Sequence, residues 1–444
     1  MKEEIQLSDH FTYGRLIKFV LPSVAMMIFT SIYGVVDGLF VSNFVGKIPF
    51  AAVNIIFPLM MILGGFGFML GTGGTAIVAK TLGLNEKEKA NEYFTFIIIT
   101  TAVMGTVLAA IAIIFAEPIA RLFGAEGEML EYAVLYGRVA LIGMPFFMLQ
   151  NSFQNFFVTA EKPKLGLCVT ILAGVTNMVL DALFVGLFRW GLVGAAAATA
   201  ASQAVGAIIP IFYFLYTKTA AIRFTKCSVY PKVLLGACFN GSSELLSNVS
   251  SSIVAVFYNY QLIRFAGENG VAAYGAIMYV AFIFIAIFIG FVIGSAPIVS
   301  FHFGAGNTDE LKNLRKKSIN IVFVAGLAML VIAFILAVPL CKLFVGYDDE
   351  LYRITLRAFI IYAFSYLITG YNIFGSSFFT ALNNGPISAA ISFLRTLVFQ
   401  TISVLLLPEL FELDGVWFSV VVAEVMSALV TTALLIAKRK HYNY

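Results

Sequence analysis

The 444-residue chain is poor in charge: 12% of its residues are Asp, Glu, Lys or Arg, against 60% hydrophobic, and its mean hydropathy is +0.94. So few polar groups cannot cover a water-soluble globule, and no basic segment is dense or long enough to make a phosphate-binding face, which excludes a nucleic-acid partner. The three histidines fall at the ends of apolar runs or in tails, and the four cysteines, Cys168, Cys227, Cys238 and Cys341, show neither a CxxC nor a metal-ligand spacing. Without a nucleophile–base set or a metal cluster the chain reads as a non-enzyme with no cofactor. Its one glycine-rich string, Gly71-Thr72-Gly73-Gly74-Thr75, lacks the GK[ST] ending of a phosphate loop. An ATPase is excluded, so uphill work would draw on an ion gradient.

What the chain does have is long apolar runs without the period-2 alternation of a barrel strand. Only helices or closed barrels satisfy the backbone in lipid, so the fold class is an all-α integral membrane protein. Twelve spans are expected, near 15–41, 51–78, 93–116, 132–158, 165–188, 192–216, 233–263, 271–300, 318–340, 355–380, 387–408 and 415–437. The acids in MKEEIQLSDH and the lack of a small-residue cleavage site predict that helix 1 is retained rather than removed as a signal peptide. The N-terminus, even-numbered loops and C-terminus carry 19 Lys or Arg, including Lys2, against six in the opposite loops. The excess predicts both termini in the cytoplasm of a multi-pass inner-membrane protein.

Adding 221 to positions in the first half lands repeatedly on the same residue in the second: Gly46 on Gly267, Gly73 on Gly294, Gly83 on Gly304, Pro118 on Pro339, Asn151 on Asn372 and Gly194 on Gly415. A constant shift over so much of the chain indicates two six-helix lobes of like orientation, related by a pseudo-two-fold axis along the membrane normal around a central cleft. The expected division is an N-lobe at 1–216, a cytoplasmic linker at 217–232 and a C-lobe at 233–444.

Four acids fall well inside spans: Asp37, Asp181, Glu244 and Glu424. A carboxylate there costs about 2.5–3.5 kcal/mol on insertion scales and marks function by default. Asn177 and Asp181 are four apart and share a helical face, and Asp37 and Thr199 lie at similar depth in the outer half of the first lobe. Two carboxylates, an amide oxygen and a hydroxyl suit a hard cation such as Na⁺, and the same two carboxylates at close range suit a shared proton. Pro22, with no backbone donor, predicts that helix 1 is bent or breakable near there. Glu244, near mid-depth, is a candidate for meeting a cationic substrate in the cleft, with a role in the second lobe's own packing as the alternative; Asn151 and Asn372 are candidates for polar contacts to substrate, which helix-to-helix hydrogen bonds explain as readily. Arg395 and Glu424 are expected to neutralise each other in a structural ion pair.

The segments VDGLFV (36–41), NMVLDALFVGLFRWGLVGAAAAT (177–199), GSSELLSN (241–248) and GVAAYGAI (270–277), within twelve helices in two lobes, resemble a multidrug and toxic compound extrusion (MATE) transporter of the DinF-type or MepA-like branch. The resemblance covers nearly the whole chain. It implies an antiporter, expected as a monomer, that exports drug-like and often cationic compounds in exchange for Na⁺ or H⁺. It puts ion coupling, with Na⁺ as the bound metal if Na⁺ is the ion, on Asp37, Asn177, Asp181 and Thr199, and the helix-1 bend on Pro22. In the NorM-type branch coupling sits in the second lobe, on two helix-7 carboxylates and one on helix 10. Here Glu244 is alone in span 7 and span 10 has none, so a complete second-lobe Na⁺ site is not expected. The alternative, a flippase for a lipid-linked sugar, needs several basic groups facing the cleft, and only Arg395 is deep.

Overall fold

The computed structural model describes residues 5–444, without the side chains of Leu39, Ser42, Asn43, Lys47 and Phe50. Lys2, one of the residues that orient the chain, lies outside them. In chain order the helices are α1 (Tyr13–Phe44), α2 (Lys47–Gly83), α3 (Lys87–Ile114), α4 (Ala116–Leu122), α5 (Gly127–Ile142), α6 (Met144–Thr159), α7 (Pro163–Asp181) and α8 (Gly191–Tyr216). They continue as α9 (Pro231–Gly304), α10 (Thr308–Val345), α11 (Asp349–Ala363), α12 (Tyr366–Ala381), α13 (Gly385–Phe393), α14 (Gln400–Leu406) and α15 (Pro408–Tyr442). Among the described residues there is no strand.

Among the described residues nine helices are long and apolar enough to cross a membrane, and two bent pairs, α5–α6 (51°) and α11–α12 (48°), pass the same test as broken spans. Helix α9 is two spans joined at Gly267, whose φ of 57° is non-helical. With that division the described residues hold twelve spans. Their starts are local: Thr12 accepts a hydrogen bond from the Arg15 amide, Asn307 from Glu310 and Asp348 from Leu351, while prolines begin α7, α9 and α15.

The 221-residue period recurs in the backbone. Positive φ occurs at Gly46 and Gly267, at Asn85 and Gly306, and at Gly191 and Glu412. The breaks in the bent pairs fall at Gly143 and Phe364, again 221 apart. Most telling is the contact between α2 and the second limb of α9. A Cβ on Gly83 would lie 2.0 Å from the Phe301 carbonyl oxygen, and one on Gly304 would lie 2.1 Å from that of Lys80. Those two contacts are images of each other under the shift, as expected where a two-fold axis passes between equivalent helices.

Lipid tails are as apolar as Leu, so helices here associate by close packing rather than by escape from water. Small residues supply it. Gly73 meets the Ala237 carbonyl and Gly241 meets that of Met69, joining α2 to the first limb of α9; Gly290 and Gly294 seat the α1 backbone at Ser23, Val24 and Val20. All of these contacts lie toward the end of the bundle that carries both termini. There the buried clusters are shared: Leu7, Phe11 and Phe19 pack with Phe374, Phe378 and Leu382, and Leu70, Val78 and Phe94 with Ala237. At the opposite end each half has its own cluster, one drawn from residues 41–196 and one from residues 254–421.

Polar straps reinforce the joined end. Before α1, the Leu7 amide donates to Glu161 Oε1 (2.7 Å), the Phe11 amide to Glu310 Oε1 (2.9 Å), and His10 Nδ1 lies 2.6 Å from Glu310 Oε2. The segment between α8 and α9 docks on α3: the Arg223 amide donates to Asn91 Oδ1 (2.9 Å), the Thr225 amide to Thr95 Oγ1 (3.1 Å), the Tyr230 hydroxyl to Glu92, and Phe224 stacks on Phe94.

Helix α1 is continuous through Pro22. Gly290 and Gly294 pack against its backbone on either side of that residue, at Ser23 and Val24 and at Val20.

Candidate functional site

The N-terminal half gathers its polar groups where α1, α7 and α8 meet. Gly174 admits the rings of Phe29 and Tyr33 from α1, and Gly194 packs against Phe184, so the three helices approach closely. Immediately after Asp181 the helix widens into a π-helical turn, Ala182–Leu187, a distortion common at functional sites. Asn177 and Asp181 are almost fully buried, 1% and 0% exposed. The Asp37 carboxylate lies beside Asp181, Thr199 and Asn177. The Thr199 hydroxyl donates to the Ala195 carbonyl at 3.1 Å, which leaves its lone pairs for another group.

Two properties decide what this cluster can do. Asp37 Oδ1, Asn177 Oδ1 and both carboxylate oxygens of Asp181 are buried with no hydrogen-bond donor. Further, no Lys, Arg or His among the described residues is a neighbour of either carboxylate; the groups that act on them are each other, Asn177 and Thr199. Two adjacent carboxylates in a low dielectric, without a basic partner, cannot both stay bare. Four orphaned oxygens from three side chains, with the Thr199 hydroxyl beside them, fit a hard cation, and a proton between the carboxylates fits equally. Among the described residues no three His, Cys, Asp or Glu side chains cluster.

Sequence reasoning missed the neutral neighbours. Tyr136 on α5 faces both carboxylates, and Tyr33 on α1 lies between Asp37 and Gln150 of α6. Gln203 on α8 is buried with its Oε1 unpartnered. A tyrosine or glutamine in an apolar run carries little signal by itself, but Gln203 was within reach, because the shift carries it onto Glu424.

The same shift puts Tyr258 where Asp37 stands, Val398 for Asn177, Ile402 for Asp181 and Val420 for Thr199. The C-terminal half therefore has no equivalent oxygen set. Its buried charge is closed on itself: Arg395 Nη2 donates to Glu424 Oε1 at 2.7 Å, and Nε to both carboxylate oxygens at 2.9 and 3.1 Å. Asn372 Nδ2 completes the group, 2.6 Å from Glu424 Oε2 and 2.9 Å from its carbonyl. Arg395 stands in the second π-helical turn, Leu394–Phe399.

Asn151 and Asn372 are open to two readings, polar contact with substrate or hydrogen bonding between helices. Both are buried within their own halves, 4% and 0% exposed. Asn372 is engaged by Glu424, and Asn151 is enclosed where Gly71 lets α2 press against α6. Glu244 differs from both. It is half-buried on α9, its carboxylate has no hydrogen bond or ion pair among the described residues, and Arg395 is its nearest charged influence. The following turn, Leu245 and Asn248, packs on Gly65 of α2, so Glu244 sits where the two halves face each other.

Fold and cluster together define a multi-pass helical membrane protein built on a repeat, with a buried pair of carboxylates in one half. The MatE family profile matches it twice, over residues 22–183 and 244–405. A protein of Staphylococcus saprophyticus named "Multidrug export protein MepA" is 24% identical over 422 residues, covering 93% of this chain and 91% of that protein. A structure described as the outward-facing conformation of a multidrug resistance MATE family transporter superposes with a TM-score of 0.93 at 23% identity, over 100% of this chain and 99% of that one. For a MATE structure in the bent conformation the TM-score is 0.88, again at 23% identity and over 98% of both chains. The chain belongs to the MatE family. It is a membrane transporter and not an enzyme.

Proposed function

We propose that the protein is a cation-coupled antiporter that exports amphiphilic, often cationic compounds across the cytoplasmic membrane by alternating access. The observation that carries this is the pair of buried carboxylates, Asp37 and Asp181, with orphaned oxygens around them and no basic partner. Asp37, Asn177, Asp181 and Thr199 hold the coupling ion, either Na⁺ in the oxygen cage or a proton between the carboxylates. An inward drop of 100 mV supplies about 2.3 kcal/mol per charge.

The moving bodies are an N-lobe, residues 1–216, and a C-lobe, residues 233–444, tied by the linker at 217–232. The two family matches and the mirrored glycine contacts support that division. With both termini in the cytoplasm, separate clusters at one end and shared clusters at the other support an outward-facing state. Pro22 is then a hinge at which helix 1 bends as Asp37 changes its ion or proton. Glu244, unpaired at the meeting of the lobes, is the contact for a cationic substrate. The export of drugs by the similar MepA protein supports the substrate class.

The test is efflux of a fluorescent cationic dye from proteoliposomes, with Na⁺ and proton gradients imposed separately. Transport driven by Na⁺ alone and lost in Asp37→Asn assigns a metal-ion site; transport driven by protons alone assigns a shared proton. Absence of transport under both gradients refutes the antiporter and moves a lipid-linked sugar flippase to the front.

A further inference from the structure

A groove of about 660 Å³ lies on the flank of the bundle, between α1 of the first half and α10 of the second, with the second limb of α9 as its floor. Apart from Tyr13 and Asn320 its lining is entirely Ile, Val, Leu, Phe and Ala; Ile17 and Leu21 stand on one wall and Ile321, Ala325 and Ala328 on the other. Ile17 and Leu21 are 44% and 57% exposed, so the groove opens to the surroundings of the bundle rather than to its interior.

The two polar residues stand together at the end nearer the termini, where the Asn320 amide donates to the Tyr13 hydroxyl at 2.7 Å. One turn further out on α10 the chain becomes basic. Lys317 donates to the Phe11 carbonyl at 2.6 Å and lies over the Tyr13 ring. Lys316 precedes Asn320 by one turn, while on α1 Lys18 follows Ile17, about one turn deeper than Tyr13; both are exposed, and neither has an acidic partner among the described residues. A hydrocarbon trough flanked on both walls by lysines, whose long stems carry the ammonium groups toward the headgroup level, is complementary to a molecule with an apolar tail and an anionic head.

We infer that this groove is a binding site for an anionic phospholipid of the leaflet facing the termini, with an acyl chain along α1 and α10 and the phosphate at Lys18 and Lys316. Because its walls come from different halves, the lipid bridges them on the side where Gly290 and Gly294 already hold α1 against α9. Occupancy therefore favours the state in which that side is joined. The site rests on the membrane-spanning fold and not on ion coupling, so its test is independent of transport.

Purified full-length protein in detergent is titrated with phosphatidylglycerol and, separately, phosphatidylcholine of the same acyl chains, and bound lipid is counted by native mass spectrometry. Phosphatidylglycerol is expected to bind at lower concentration, by about fivefold for each lysine that meets the phosphate. Lys18→Ala with Lys316→Ala abolishes that preference, while Ala328→Trp, which fills the trough without touching the lysines, lowers occupancy by both lipids. Both variants are judged only at an unchanged melting temperature in lipid-free detergent, and Ala325→Phe replaces Ala328→Trp if the latter fails that criterion. Equal binding of the two lipids, a preference that survives the lysine substitutions, or displacement of phosphatidylglycerol by a cationic dye at the wild-type groove would each overturn the assignment.

Discussion

Replacing Gly73 by Ala adds one methyl group where there is no room for it. Its Cβ would lie 2.0 Å from the Ala237 carbonyl oxygen and 2.6 Å from the Gly241 nitrogen, atoms of a helix backbone that cannot rotate aside. Reaching ordinary contact requires α2 and α9 to separate by about 1 Å or more. Overpacking of this kind costs about 1–3 kcal/mol. The strain exists only while the two helices touch, so it shifts the equilibrium toward the separated state by about 5–150-fold. Cys238, half-buried beside Ala237 in the same cluster, is a native reporter. With the other three cysteines replaced by serine, Gly73→Ala should speed maleimide labelling of Cys238 and lower the melting temperature. Gly275→Ala, whose added methyl meets nothing within 4 Å, should do neither. Because Gly241 faces Met69 across the same contact, Gly73→Ala and Gly241→Ala together should cost less than their sum. Unchanged labelling and melting in Gly73→Ala would refute the direct backbone contact and the reasoning built on it.

Three further outcomes are expected. Glu424→Leu alone, leaving Arg395 buried without its partner, should destabilise the protein by about 3–5 kcal/mol, whereas Arg395→Met with Glu424→Leu should recover most of that loss in thermal melts. Asn91→Ala removes the acceptor of the Arg223 amide and should make residues 217–230 more readily cut by protease, with the helices resistant; a cleavage rate equal to wild type would mean the linker is not held there. Glu244→Gln should weaken export of cationic compounds more than of neutral ones, and equal losses in a dye-efflux comparison would make it a structural residue.

Much of the architecture could be read in advance because lipid leaves the backbone few options. The apolar runs located every span, and Gly46 with Gly267 announced a repeat that the positive-φ turns then displayed. The acids were legible for the same reason: a carboxylate such as Asp181 stands out in an apolar run. The breaks at Gly143 and Phe364 were not, since a helix interrupted near mid-membrane keeps the composition of an unbroken one. Whether Pro22 bends its helix is not legible, because a missing hydrogen bond permits a bend without requiring it. Asn151 and Asn372 stay open between substrate contact and helix-to-helix hydrogen bonds in the sequence because depth in a span does not reveal which face a side chain presents. The difference between halves was open to reading residue by residue: the shift that aligned the glycines also places Tyr258 at the position of Asp37.

That difference bears on how the two halves share the work. The cation beside Glu424 is carried on the chain itself, as the guanidinium of Arg395, and no change in the surrounding solution can dilute, replace or remove it. The Arg395–Glu424 pair thus keeps one electrical identity throughout, like a salt sealed in glass. Asp37 and Asp181 have no such built-in cation beside them, so the symmetric frame carries one acidic centre fixed to ground and one whose balancing charge must come from outside the chain.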